Sequence, residues 1–129
     1  EVHACTDVTG FGLMGHGREM ALGSGVTLEI ETKAVPLLPG ALECVRMGAV
    51  PGGLKNNREF AECVVGGGER IAPELLAMMF DPQTSGGLLI AVAESNAGQL
   101  KAALQAAGLC SEPIGRVVPA GATPLEVEP

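Results

Sequence analysis

The sequence contains no tryptophan and no tyrosine, and its only aromatic residues are Phe11, Phe60 and Phe80. Proteins that grip single-stranded nucleic acid stack bases on aromatic side chains beside basic grooves. This chain lacks the aromatic platform, and its eight Lys and Arg residues are scattered among fifteen Asp and Glu residues, for a net charge of −7. A phosphate-backbone footprint needs clustered positive charge, so no nucleic-acid partner is expected. Long apolar runs are missing too. The stretch from Gly87 to Ala93 is far below the roughly 20 residues that span a bilayer. No basic-then-apolar leader is visible, so a cytoplasmic protein with no membrane partner is expected. Cysteine is sparse. Cys5, Cys44, Cys63 and Cys110 lack the close pairs of a zinc knuckle and read as reduced thiols that serve as small apolar filler.

Apolar residues and glycine are abundant. Hydrophobic residues make up 47% of the chain and charged residues 18%, enough for one buried core and against disorder. A length of 129 residues fits a single domain over 1–129. The chain opens inside what reads as a strand, without Met, so it is expected to be a fragment of a longer enzyme whose sites are completed by residues elsewhere.

The pattern along the chain alternates strands and helices. Val2 to Val8 reads as a strand with Val2, Ala4, Thr6 and Val8 on one face and His3, Cys5 and Asp7 on the other. A helix from about Leu13 to Leu22 should stop at Gly23-Ser24-Gly25. Val26, Leu28 and Ile30 alternate with Thr27, Glu29 and Glu31, predicting a strand with the second set outside. A short helix is expected from Gly40 to Met47, a turn at Asn56-Asn57, a further turn at Gly66-Gly67-Gly68, and a helix from about Pro73 to Met79. Leu88 to Ala93 reads as a buried central strand. Ser95 should cap a helix whose apolar stripe is Ala97, Leu100, Leu104 and Ala107. Ile114 to Val118 is the last expected strand, and 119–129 reads as a flexible tail. The class is α/β (α+β), with helices layered on a mixed sheet.

Two segments carry candidate chemistry. Gly10, Gly12 and Gly15 form a literal G-x-G-x-x-G between a strand and a helix, and Glu31 stands about twenty residues further on, as in a dinucleotide-binding fingerprint. A single match of this kind is weak in a glycine-rich chain. More generally, such a turn lets backbone amides approach phosphate oxygens at a helix start. Asp7 beside it would repel phosphate unless a cation lay between, which points to a Mg²⁺ ligand; a helix cap or a solvated turn is the plainer alternative. The second segment is Asp81-Pro82-Gln83-Thr84-Ser85-Gly86-Gly87, a loop that offers hydroxyls and amides or simply a tight connection. His3, Cys5 and Asp7 would spread over about 13 Å of one strand, too far for one ion. His16 reads as a packed histidine rather than a catalytic one.

Taken together, the motifs are more specific. His3 to His16 with Glu19-Met20-Ala21, then Ala34 to Gly40, Val50 to Gly53, Asn57-Arg58-Glu59, and Asp81 to Val92 all resemble selenophosphate synthetases, in order, over about residues 2 to 118. The resemblance implies the C-terminal domain of a two-domain enzyme of the aminoimidazole ribonucleotide (AIR) synthetase-like superfamily. Such enzymes convert ATP, selenide and water to selenophosphate, AMP and phosphate. It also implies a homodimer formed chiefly through the N-terminal catalytic domains. Those domains carry the glycine-rich loop, the catalytic Cys or selenocysteine, a Lys and further Mg²⁺-binding aspartates, so this fragment, which holds no catalytic residue, is expected to be inactive alone. By the same resemblance Asp7 contributes to the Mg²⁺–phosphate cluster, with Thr9, Gly10 and Gly12 forming the turn of the Mg-ATP site beside it. For Gln83, Thr84 and Ser85 the motif matches without a residue-level role. Gly17 departs from the larger residue usual there and is expected to loosen its helix. The competing readings are another ATP-dependent enzyme of the superfamily, a self-standing nucleotide-binding module in which Glu31 matters, and a purely structural domain.

Overall fold

The computed structural model describes residues 1–129. The elements run β1 (Val2–Asp7), α1 (Gly12–Ser24), β2 (Val26–Glu31), α2 (Ala41–Arg46), α3 (Gly52–Ala61), β3 (Val65–Gly66), α4 (Pro73–Met78), β4 (Leu88–Val92), α5 (Glu94–Ala106), β5 (Gly115–Pro119) and β6 (Leu125–Glu128). The strands form two sheets. A four-stranded sheet has the order β3-β6-β2-β5, and β1 pairs with β4 in a separate two-stranded ribbon. In the larger sheet β2 runs antiparallel to β5 and parallel to β6, which is also parallel to β3. The sheet is therefore mixed, as expected.

The core follows from apolar spacing on elements that face one another. Helix α1 buries Met14, Gly17 and Ala21, a row at intervals of three and four residues that shares one helical face. These pack with Leu28 and Ile30 of β2, Leu125 and Val127 of β6, and Met79 and Phe80 at the end of α4. Helix α1 runs unbroken through Gly17. A Cβ there would lie 3.3 Å from Leu125 Cδ2 and 3.8 Å from Leu28 Cδ1, so the missing side chain lets α1 settle closely onto the sheet.

The C-terminal segment differs most from expectation. Residues 119–129 are not a loose tail, because β6 lies between β3 and β2 and its Leu125 and Val127 are fully buried. Two buried threonines at the ends of β2 fasten it. Thr27 Oγ1 donates to Thr123 O at 2.7 Å and accepts from the Gly121 N–H at 2.9 Å, while Thr32 Oγ1 donates to Glu128 O at 2.8 Å. Thr27 is thus inside, not outside, because its hydroxyl has partners there; a buried hydroxyl without them would be costly.

Other expectations change for similar tertiary reasons. Leu88–Val92 is not a buried central strand: it has only β1 as a neighbour, and Leu88 is 64% exposed. Asn56-Asn57 is not a turn but lies within α3, whose buried row is Leu54, Asn57 and Ala61. Ser95 does not cap α5, which begins at Glu94 with no side-chain cap. All four cysteines are exposed thiols rather than core filler. No helix is long and apolar enough to cross a membrane.

Candidate functional site

The two motif segments meet. β1 ends at Asp7, opposite Leu88 at the start of β4, and this pairing draws the turn after β1 against the loop before β4. Beyond the ribbon the register continues through loop hydrogen bonds. Val8 N–H donates to Gly87 O at 2.9 Å, Gly86 N–H donates to Val8 O at 3.1 Å, and Gln83 N–H donates to Thr9 O at 3.1 Å. The Thr9 carbonyl also accepts from the Gly12 N–H at 3.0 Å, closing the turn into α1. Gly12 has a φ of +70°, and a Cβ there would lie 2.9 Å from the Phe80 carbonyl carbon and 2.9 Å from Asp81 O. Glycine is required twice over at this position, for the left-handed backbone and for the close approach of the second loop.

This geometry uses up amides that an open helix start would offer an anion. The Gly12 N–H is taken by Thr9 O, and the Met14 N–H donates to Met79 O at 3.1 Å. The end of α4 thereby plugs part of the α1 N-terminus, and Thr9, Gly10 and Gly12 contribute the shape of the turn. The dinucleotide reading fails on topology. The strands flanking α1 would have to be parallel neighbours in one sheet, yet β1 and β2 belong to different sheets. Glu31 is exposed at the end of β2.

Asp7 is exposed at the mouth of this junction, and none of the chain's ion pairs includes it. His3 and Cys5 are also exposed on β1, whose pairing with β4 is irregular between Val2 and Ala4. Nowhere do three His, Cys, Asp or Glu side chains converge as a metal site. Mg²⁺ retains waters and takes one or two carboxylates with phosphate oxygens. A single exposed carboxylate fits that habit as one donor to an ion shared with groups outside the chain, and it does not fit an all-protein cage.

Around the turn, Thr9 Oγ1 and His16 Nε2 are 3.0 Å apart, which makes His16 a packed, hydrogen-bonded ring. Phe11, 58% exposed, stacks on Phe60, 49% exposed, with centroids 6.1 Å apart, and the Arg18 guanidinium carbon lies 4.6 Å from the Phe60 ring centroid. Two of the chain's three phenylalanines therefore form a surface stack at the edge of the turn. In the second loop Gln83 Nε2 donates to Asp81 Oδ2 at 2.8 Å. Burial pushes the Asp81 carboxyl above its usual range, and the Gln83 hydrogen bond partly opposes that shift. Thr84 and Ser85 are exposed.

Sequence reasoning missed Asn57 as a site residue. Its amide nitrogen donates to Gly10 O at 2.8 Å and to Phe80 O at 3.0 Å, tying α3 to both loops. The available signal was its position: a polar side chain three residues after Leu54 and four before Ala61 falls on the buried face of a helix, where a polar group needs partners.

Comparison with known proteins gives a consistent set of relatives. The family model described as "AIR synthase related protein, C-terminal domain" matches residues 1–128. The chain is 51% identical over 118 residues to the selenide, water dikinase of Pelobacter propionicus, covering 91% of this chain and 34% of that protein. It is 40% identical over 128 residues to the selenide, water dikinase of Clostridium botulinum strain Eklund 17B, covering 99% of this chain and 37% of that protein. Against the selenide, water dikinase of Caldanaerobacter subterraneus the identity is 48% over 102 residues, covering 77% of this chain and 28% of that protein. The chain spans about a third of the length of the curated relatives it matches.

Proposed function

The chain belongs to the AIR synthase related protein, C-terminal domain, family, and on that premise we propose that it is the C-terminal domain of a selenophosphate synthetase. The whole enzyme would convert ATP, selenide and water to selenophosphate, AMP and phosphate. This domain would supply Asp7 to the Mg²⁺–ATP site and remain inactive without its N-terminal catalytic partner. Homodimerisation of the whole enzyme and a cytoplasmic location belong to the same reading.

The observation that supports it best is the junction itself. Two of the segments whose motifs resemble selenophosphate synthetases, 3–16 and 81–92, are far apart in sequence yet share a hydrogen-bonded seam from Asp7 to Gly87. That seam leaves one unpaired carboxylate at its mouth. When bound, Mg²⁺ supplies neutralisation of phosphate charge and alignment of the phosphates for transfer. The chain's own contribution is positional. Asp7 holds one coordination position and does not act as a base. Thr9, Gly10 and Gly12 fix the turn that follows it, and Gly12 admits the second loop against that turn. Glu31, exposed and in the other sheet, has no part in the site.

The test is product analysis with the full-length polypeptide. ATP should be consumed only when selenide is present, giving AMP and selenophosphate. ATP turnover without selenide, with ADP as product, would assign the domain to a different enzyme of the superfamily.

A further inference from the structure

Asn57 is one of only three buried polar or charged residues in the chain, and the other two are the threonines that fasten the C-terminal strand. Its role is not exhausted by packing. The side chain leaves the inward face of α3 and enters the gap between the turn after β1 and the end of α4. There both N–H bonds of its amide are committed, one to the Gly10 carbonyl and one to the Phe80 carbonyl. A primary amide offers two donors on one nitrogen in a fixed planar fork, so the two carbonyls are held at a set separation. The same two segments are in close contact at Gly12, where no Cβ intervenes against Phe80 and Asp81. The 9–12 turn is therefore gripped from α3 on one side and backed by the 80–81 segment on another. Asp7 lies just before that turn.

We infer that Asn57 is a positioning residue for the Asp7 site: its amide clamps the Gly10 and Phe80 carbonyls together and so sets where the Asp7 carboxylate is presented. The inference rests on the reading of Asp7 as a metal donor and goes beyond it, because Asn57 itself touches neither metal nor nucleotide. It acts through the backbone of the turn.

The test uses the full-length polypeptide with Mn²⁺ as the probe cation and a non-hydrolysable ATP analogue. Asn57→Leu keeps a branched side chain of similar size and removes both donors; Asn57→Ala removes them without added bulk. Two quantities are read: hydrogen exchange in each segment, and Mn²⁺ affinity by the paramagnetic resonance of the free ion. Exchange should quicken in segments 8–15 and 80–87 and stay unchanged in 26–31 and 125–128. Mn²⁺ affinity in the presence of the analogue should fall about tenfold, as expected for losing two hydrogen bonds, one buried and one part-buried, that preorganise a site. Unchanged exchange in the two loops overturns the clamp, and so does loss of the fold in both variants, which would make Asn57 a fold residue only. Loosened loops with unaltered Mn²⁺ affinity overturn the positioning role. Asp7→Asn serves as the reference: if it leaves Mn²⁺ affinity unchanged, the reading of Asp7 fails and the metal half of the inference with it, while the exchange data still decide the clamp.

Discussion

The contact between Gly17 and Leu125 offers a quantitative test of how the helix sits on the sheet. Leu125 is fully buried in β6, and its Cδ2 would lie 3.3 Å from a Cβ placed on Gly17. Leu125→Ala removes a buried branched side chain and should cost about 2–5 kcal/mol, including the cavity left behind. Gly17→Ala has two opposing effects. Alanine gains about 1 kcal/mol over glycine in a helix interior, whereas crowding a packed core costs about 1–3 kcal/mol. Leu125 cannot retreat readily, because β6 is paired on both sides, so the single substitution should destabilise by about 1 kcal/mol. In the Leu125→Ala background the crowding atom is gone, and the same substitution should stabilise by about 1 kcal/mol. The sign reversal is the signature, with a coupling of about 2 kcal/mol. Urea denaturation of the four proteins, holding the slope constant, reads it directly. Additivity within about 0.5 kcal/mol would refute the close approach, and a loss below about 1 kcal/mol for Leu125→Ala would refute burial of the C-terminal strand.

Other outcomes follow from the same geometry. Asp81 has its carboxyl pushed above the ordinary range by burial; a raised carboxyl favours the fold while protonated, and that contribution is lost as pH rises through the folded value. Asp81→Asn should therefore raise the thermal midpoint at pH 7 relative to the native protein, with the difference shrinking toward pH 4; a midpoint that falls at pH 7 would show that the ionised carboxylate is favourable. Glu31→Gln in the full-length polypeptide should leave nucleotide affinity unchanged in equilibrium dialysis, since the residue is exposed and in the other sheet from Asp7. A tenfold or greater loss, a difference of about 1.4 kcal/mol, would revive the dinucleotide reading.

What could be read in the sequence was local and periodic. The Val26–Glu31 strand, the Gly12 turn and the helix ending near Gly25 are visible because a short window contains their cause, although the strand's strict alternation fails at the buried Thr27. The resemblance of 3–16 and 81–92 to one family marked both segments but not their contact, which only the β1–β4 pairing and the loop hydrogen bonds reveal. What could not be read depends on partners remote in sequence. The apolar run Leu88–Val92 looks like a central strand, yet only β1 lies beside it. Residues 119–129 look like a tail because Pro and Gly punctuate them, yet Thr27 and Thr32, each 96 positions away from its partner, hold them in the sheet. Asn56-Asn57 has turn chemistry, but burial of Leu54 and Ala61 on one helical face, with the Gly10 and Phe80 carbonyls waiting for the amide, overrides it.

In the proposed function, Asp7 brings this domain into a Mg²⁺-dependent phosphoryl-transfer site. The most direct measurement is selenide-dependent AMP formation by the full-length polypeptide, native against Asp7→Asn, titrated with Mg²⁺ and accompanied by circular dichroism to establish that the fold persists. Selenophosphate and AMP from the native protein, with activity in the variant lost or restored only at much higher Mg²⁺, is the predicted result. A correctly folded variant with native turnover at the native Mg²⁺ requirement would contradict it and remove Asp7 from the site.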